Sequence, residues 1–248
     1  MSELGQRNGG MQLSCLVFRE GTRPTAAEVS KLAAEGGEFT LSHDAGADGW
    51  VELLRDGLTF DLEGLAPLQP APLPSMPRRY DLPGLREDPP REALILRPGP
   101  HLAGAERLLP VVRTVAAVAM ALSELPGVEA VGWLPSKSLC SPAWFRAGVS
   151  AWLEGGPFPS LALAAIERAE DGALRSHGLE FLAGQDFRLT ASASADGAAE
   201  ADGRAAMRLA DWLVANGSVA SSCEVELPGI GTVQLDPGPH KLITARRQ

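Results

Sequence analysis

Residues 12–18, QLSCLVF, followed by residues 25–36, TAAEVSKLAAEG, set the pattern of the fold. The first stretch is short and apolar, so it predicts a buried strand. The second begins with Thr25 and Glu28, a capping box in which each side chain satisfies a free N–H of the first helical turn. Gly36 and Gly37 supply a stop for this helix. A strand followed directly by a helix therefore opens the chain.

Strands and helices continue to mix along the rest of the chain. Asp56-Gly57 lies between two strand-like segments, and this dipeptide predicts a two-residue hairpin. Ser141 and Pro142 predict a helix start, because Ser caps well and Pro suits the first turn. Helices are predicted over residues 104–125, 142–153 and 202–216, the last capped by Asp202, and strands over residues 38–42, 51–54, 58–62, 93–96, 128–133, 161–166, 178–182, 186–190, 223–227, 232–235 and 241–245.

This order lacks the steady alternation of a doubly wound parallel sheet. The predicted fold class is therefore α+β, with mixed or antiparallel sheets and helices packed on one side. Each half of the chain starts with strand, helix and strand, a pattern that allows two ferredoxin-like units. Residues 191–201, ASASADGAAEA, predict a low-complexity loop.

Residues 64–90 contain eight prolines, which favour extended, polyproline-like chain. We predict that this segment is either a linker or a strap across the surface. It separates an N-terminal β-α-β-β lobe, residues 1–63, from a C-terminal α+β lobe, residues 91–248, although the lobes are also compatible with one domain. Within it, residues 74–79, PSMPRR, have the form of a ligand for aromatic peptide-binding grooves. The alternative is a strap whose prolines limit the entropy of the unfolded chain.

The net charge of −9 argues against DNA, RNA and anionic lipid as partners and suggests a basic protein or peptide instead. The polar start lacks the apolar core of a secretory signal, and the longest apolar run, residues 114–122, is too short to span a bilayer. These features predict a cytoplasmic protein without membrane contact. The three cysteines form neither a disulfide framework nor a zinc motif, so no metal and no cofactor is predicted.

The most polar, nucleophile-rich loop is residues 136–141, SKSLCS, between a strand and a helix start. A helix N-terminus lowers the pKa of a nearby thiol and attracts anions, so Ser138 or Cys140, with Lys137 as a base, are the candidate catalytic groups. The structural alternative is that Ser141 caps the helix and Cys140 packs as a small apolar group. A further hypothesis is that this loop forms a rim that binds an anion or a peptide.

Histidines and tryptophans supply the remaining candidates. His177 or His101 are potential acid–base partners for the loop, although neither has metal-ligand spacing to another histidine. Trp133 and Trp144, with Ser141, are candidate binding residues that would form an aromatic pocket. Residues 99–104, GPHLAG, lie where a phosphate loop would, but they lack the Lys and the Ser or Thr that such a loop requires.

The C-terminal two thirds resemble a bacterial family, the domain of unknown function 4261. The resemblance rests on residues 177–189, HGLEFLAGQDFRL, on the helix over residues 206–217 and on the closing strands 224–238. Residues 127–133 and 141–145 look like the part that precedes them. The resemblance implies a bacterial α+β protein and supplies no reaction, cofactor or catalytic residue.

Two functions from different classes follow from these patterns. The first is a non-catalytic binding or interaction protein, since every nucleophile, metal and phosphate signature fails in detail. The alternative is a small hydrolase or transferase that uses the loop 136–141. The pattern is compatible with a monomer or a homodimer.

Overall fold

The computed structural model describes residues 10–85, 90–191 and 198–248. The helices are α1 Ala26–Gly36, α2 Leu109–Leu122, α3 Pro142–Leu153, α4 Ser160–Leu163, α5 Glu180–Ala183 and α6 Ala198–Asn216. The strands are β1 Ser14–Arg19, β2 Thr40–Ala45, β3 Trp50–Arg55, β4 Leu58–Glu63, β5 Arg78–Tyr80, β6 Arg91–Pro98, β7 Val128–Trp133, β8 Ser138–Cys140, β9 Ala165–Arg168, β10 Leu174–His177, β11 Asp186–Leu189, β12 Cys223–Leu227, β13 Gly231–Pro237 and β14 Leu242–Arg247. The prediction of an α+β fold is confirmed.

The chain divides into two compact units. Among the described residues, the first unit holds 10–74, 83–85 and 90–134, and the second holds 75–82, 135–191 and 198–248. The sequence places its divisions elsewhere, at residues 63 and 91. The difference arises because β6 pairs with both β1 and β4, so the start of the second half completes the sheet of the first.

The first unit is an antiparallel sheet in the order β2-β3-β4-β6-β1-β7. Helix α2 packs on β1, β4 and β6, and α1 contacts β2 and α2. The order β4-β6-β1-β7, with α1 after β1 and α2 after β6, is the split β-α-β arrangement of a ferredoxin-like unit. The hairpin β2–β3 extends it by two strands. Phe18, Phe60 and Trp133 are among the fully buried side chains of this core.

The second unit has a different topology. Its sheet runs β12-β13-β14-β11-β10-β9, and β11 and β14 are parallel whereas the other neighbours are antiparallel. This order is not ferredoxin-like. Helix α6 packs on β10 and β12, and α4 contacts both α3 and α6. Phe145, Phe187 and Leu209 are fully buried here.

The proline-rich segment contributes to both units. Ala71 forms an isolated bridge with Ala93 in the first unit. Farther along, β5 pairs in parallel with β8 in the second unit, and Met76 just before it is buried. Residues 75–79 of the PSMPRR stretch therefore belong to the second unit, and Arg78 lies in strand β5. Residues 86–89 of the segment, the polar start 1–9 and residues 192–197 of the low-complexity loop lie outside the described residues.

Local signals in the sequence are confirmed where side chains dictate the backbone. Thr25 and Glu28 form the capping box. Asp56 and Gly57 have φ of 52° and 77°, the left-handed conformation that the hairpin requires. The Ser141 side chain accepts from the Trp144 N–H and caps α3.

Four predicted elements differ from the structure. The predicted helix 104–125 is α2, which begins only at Leu109 because Pro110 occupies its first turn. The predicted strands 161–166 and 178–182 contain the helical turns α4 and α5, because a short apolar run has no periodicity that separates a strand from a buried turn. Helix α6 begins before Asp202, which is buried within it and lies 3.0 Å from Arg247, so this residue is an ion-pair partner and not a cap.

Candidate ligand-binding site

The start of α3 is fixed by two side chains of the second unit. Ser141 Oγ accepts a hydrogen bond of 3.1 Å from the Trp144 backbone N–H and donates one of 2.5 Å to Asp81 Oδ2. Asp81 follows β5, so the proline-rich segment holds the helix start in place. Trp144 consequently lies in the first turn of α3, where its side chain is 45% exposed.

The exposed face of α3 beyond Trp144 carries only small residues. Ala147, Gly148 and Ala151 follow Trp144 at helical spacing, so all four lie on one side of the helix. A Cβ on Gly148 would lie 3.1 Å from the Pro159 Cβ, which shows how closely the 157–162 segment approaches this face. The absence of larger side chains leaves an open concavity beside Trp144.

Helix α6 forms the opposite wall with residues at the same spacing. These are Arg204, Met207, Arg208 and Asp211. Met207 is 43% exposed, because it faces the concavity and not the sheet. A large apolar side chain with this exposure at a concave surface is typical of a binding site.

The floor between the two helices is the segment 157–162. The Phe158 backbone N–H donates a 2.7 Å hydrogen bond to Asp211 Oδ1, which ties the segment to α6. The Phe158 ring meets Trp152 edge to face, with centroids 5.7 Å apart, which ties it to α3. The floor is thus held at both sides by side chains that are themselves buried or half-buried.

Together these elements enclose a cavity of about 640 Å³, which we call the α3–α6 cavity. Its lining is mostly apolar. It comprises the α3 face Trp144, Ala147, Gly148 and Ala151, the floor Pro157–Ala162, the α6 face Arg204, Met207, Arg208 and Asp211, and the hairpin turn Pro228, Gly229 and Ile230.

The polar loop 136–141 belongs to the second unit, and its nucleophilic side chains Ser136, Ser138 and Cys140 are buried. Ser136 and Ser138 are 1% and 2% exposed, and their hydroxyl oxygens are 2.6 Å apart in a mutual hydrogen bond. Burial raises the pKa of the Cys140 thiol to about 12, with a smaller contribution from Asp81. Lys137 is exposed and forms no ion pair with any described residue.

His177 lies close to this loop because the next residue, Gly178, packs against Ser136. A Cβ on Gly178, whose φ is +79°, would lie 2.6 Å from the Ser136 Cα, so the two backbones are in direct contact. His177 Nε2 is 3.1 Å from Glu167 Oε2, and the same oxygen accepts a 2.8 Å hydrogen bond from Arg78 Nε. Burial first, and then Arg78, lower the pKa of His177, which keeps its imidazole neutral at pH 7.

The remaining predicted site residues are placed as follows. Trp133 is fully buried in the core of the first unit, and Trp144 lines the α3–α6 cavity in the second. Ser141 is the α3 cap. His101 is exposed in a short turn of the first unit, and its Nδ1 is 3.3 Å from Thr59 Oγ1.

A second cavity, of about 1090 Å³, lies in the first unit. Trp50, Glu52, Asp61, Arg97 and Glu106 line it. Two of its charged groups already have partners, since Arg97 pairs with Glu63 and Glu52 accepts a 2.6 Å hydrogen bond from Ser42.

Sequence reasoning found Trp144 but missed the α6 wall and the floor. The signal for the wall was present as Arg204, Met207, Arg208 and Asp211, a mixed stripe at helical spacing. No sequence pattern indicates that this stripe faces α3, or that Asp211 binds the floor residue Phe158, which lies 53 residues earlier in the chain.

The chain matches no protein-family model, no curated protein and no solved structure. Within the described ranges, no group of three or more His, Cys, Asp or Glu side chains is arranged to hold a metal ion. A helix of the length and apolar character that a membrane crossing requires is absent from the same ranges.

Proposed function

We propose that the protein is a non-catalytic binding protein and that the α3–α6 cavity holds a small, largely apolar molecule. The observation that carries this proposal is a concave, mostly apolar lining in which two large side chains, Trp144 and Met207, remain exposed. Covering each of them would contribute about 1 to 2 kcal/mol, given the free energy of burying a large apolar side chain.

The dimensions favour a small molecule as the occupant. A volume of about 640 Å³ lies inside the usual range for small-ligand sites. Such sites combine apolar and aromatic walls with a few polar groups, and here Arg204, Arg208 and Asp211 are those groups. The floor is held by hydrogen bonding and ring contact, so the cavity does not depend on a bound partner to keep its form.

The polar loop supports a binding role more than catalysis. Ser136 and Ser138 are enclosed, and a thiol with a pKa of about 12 is almost wholly protonated at neutral pH, whereas the thiolate is the reactive form. The hydrolase or transferase function stays a prediction without an observation in its favour. Membership of the domain of unknown function 4261, a basic partner, a cytoplasmic location and the assembly state also stay predictions.

A fluorescence titration with N-phenyl-1-naphthylamine, a neutral apolar probe that brightens when it leaves water, tests the proposal. We expect saturable binding to the native protein. Ala147→Leu should abolish it, because the larger side chain occupies the space beside Trp144 in which the probe would pack, while leucine keeps the helix favourable. The same change at Ala143, which is exposed on α3 outside the lining, is the matched control.

Saturable binding that Ala147→Leu removes and Ala143→Leu preserves supports the site. Absence of binding to the native protein, or equal binding to both variants, contradicts it. Urea unfolding midpoints for the three proteins show whether a loss of binding reflects a loss of folding.

A further inference from the structure

The charges of the α3–α6 cavity lie on one wall only. The α3 wall contributes Trp144 and small residues, whereas Arg204, Arg208 and Asp211 all come from α6. The lining therefore carries two cationic groups and one anionic group, within a chain whose net charge is −9.

The three charged groups differ in what they already bind. Arg204 Nη1 is 2.5 Å from Glu200 Oε1, one helical turn away. Asp211 accepts the Phe158 N–H, so part of its charge is used by the floor. The Arg208 side chain is exposed and forms neither a hydrogen bond nor an ion pair with any residue in the described part of the chain. Arg208 is thus the charged group of the cavity that is open to a ligand.

We propose that the ligand is an amphiphile, with its apolar body against the α3 wall and an anionic head group bound by Arg208. This inference rests on the proposed binding function of the cavity. A guanidinium donates two parallel hydrogen bonds to a carboxylate or a phosphate, which sets the orientation of the head group as well as its charge. A cationic head group in the same position would instead be repelled by Arg208.

The apolar body matches the remainder of the lining. Trp144 offers an aromatic surface, and Ala147 and Ala151 leave space beside it. Met207 is unbranched and adaptable, so it accommodates chains or rings of different outline. An apolar chain or fused ring that ends in an acid group contacts the apolar α3 wall and Arg208 of the α6 wall at the same time.

Two fluorescent probes of similar apolar structure separate the head group from the body. The first is 8-anilinonaphthalene-1-sulfonate, which carries an anionic sulfonate, and the second is the neutral N-phenyl-1-naphthylamine. We expect Arg208→Gln to weaken the anionic probe roughly fivefold, the scale of one exposed ion pair, and to change the Kd of the neutral probe less than about twofold. Arg175→Gln, at an exposed arginine of β10 outside the cavity, removes the same charge and should change neither.

Displacement of the anionic probe by unlabelled amphiphiles distinguishes a carboxylate head group from a phosphate. Tridecanoate and dodecyl phosphate carry the same dodecyl chain with different anions, and dodecanol carries that chain with an uncharged hydroxyl. We expect the two acids to displace the probe from the native protein more strongly than the alcohol does. The acid with the greater advantage over the alcohol shows whether the natural head group is a carboxylate or a phosphate.

The outcomes separate the two proposals. If the neutral probe does not bind the native protein, the binding function and this inference both fail. If it binds but Arg208→Gln leaves the anionic probe unchanged, or weakens both probes equally, the cavity binds apolar molecules and the assignment of an anionic head group to Arg208 is overturned.

Discussion

His177 is the residue whose surroundings most clearly shape its chemistry. It lies between Glu167 and the charges of Arg78 and Arg175, and burial outweighs the carboxylate in setting its protonation. Arg78 also donates a 3.0 Å hydrogen bond to the Ser136 carbonyl, so this cluster ties β5 to the polar loop. His177 is therefore a neutral structural group. Glu167, which contacts both His177 and Arg78, connects β9 to β10 and β5.

Stability should fall as the pH is lowered through the range in which histidine titrates. The folded protein holds the pKa of His177 below that of the unfolded chain, so below about pH 6.5 the unfolded chain binds the proton more readily. Urea midpoints at about pH 7.5 and pH 5.5 should drop less for His177→Gln than for the native protein. The same change at His101, exposed in the first unit, should leave the drop unaltered; an unaltered drop in His177→Gln would contradict this account.

The two buried thiols differ from the third in their access to reagents. Cys15 and Cys140 are buried, each with a pKa raised to about 12, whereas Cys223 is only half-buried in β12. We expect iodoacetamide to modify Cys223 first in the native protein and Cys140 only after unfolding, as mass spectrometry of the peptides would show. Preferential reaction of Cys140 in the folded protein would restore the activated-thiol hypothesis.

At the scale of elements, α3 links the proline-rich segment to the cavity. Asp81 holds Ser141, Ser141 caps the helix, and the first turn of the helix presents Trp144. The position of a cavity wall thus depends on a hydrogen bond to a residue about 60 positions earlier in the chain.

Removing the cap should weaken both the helix and the site. Ser141→Ala is expected to cost about 1 kcal/mol of unfolding free energy, the usual effect of losing a side-chain N-cap. It should also weaken binding of the neutral probe, because the first turn of α3 carries Trp144. Asp81→Asn keeps the cap and should cost less than Ser141→Ala; equal costs in urea unfolding would show that the Asp81 contact, and not the cap, matters most.

Local signals in the sequence predicted the elements whose ends are set by their own side chains. These signals act on the backbone within a few residues, so the sequence alone predicts the local conformation. They are the capping box Thr25 and Glu28, the turn Asp56-Gly57 and the helix start Ser141-Pro142. α4 and α5 were missed because their turns are stabilised by burial, and residues 161–166 contain no cap or helical period of sufficient length. Trp144 was identified as a binding candidate from its residue type, while the cavity that it lines depends on the distant α6 wall.

At the scale of the whole chain, the sequence suggested two lobes divided at the proline-rich segment, and the structure divides the chain differently. β6, α2 and β7 belong to the first unit, and residues 75–82 belong to the second. Strand pairing of this kind depends on complementary edges far apart in the chain, which composition and periodicity do not reveal. The cavity has the same origin, because its walls come from α3, the 157–162 segment, α6 and the β12–β13 turn.

The most direct test is a heteronuclear NMR titration of the labelled protein with N-phenyl-1-naphthylamine. If the α3–α6 cavity is the site, the indole N–H of Trp144 and the backbone amides of Ala147, Met207 and Gly229 should shift together and saturate at one Kd. The indole of Trp133, buried in the first unit, should stay in place. Shifts concentrated in the first unit, or no saturable shifts at Trp144 and Met207, would contradict the claim that this cavity is a ligand-binding site.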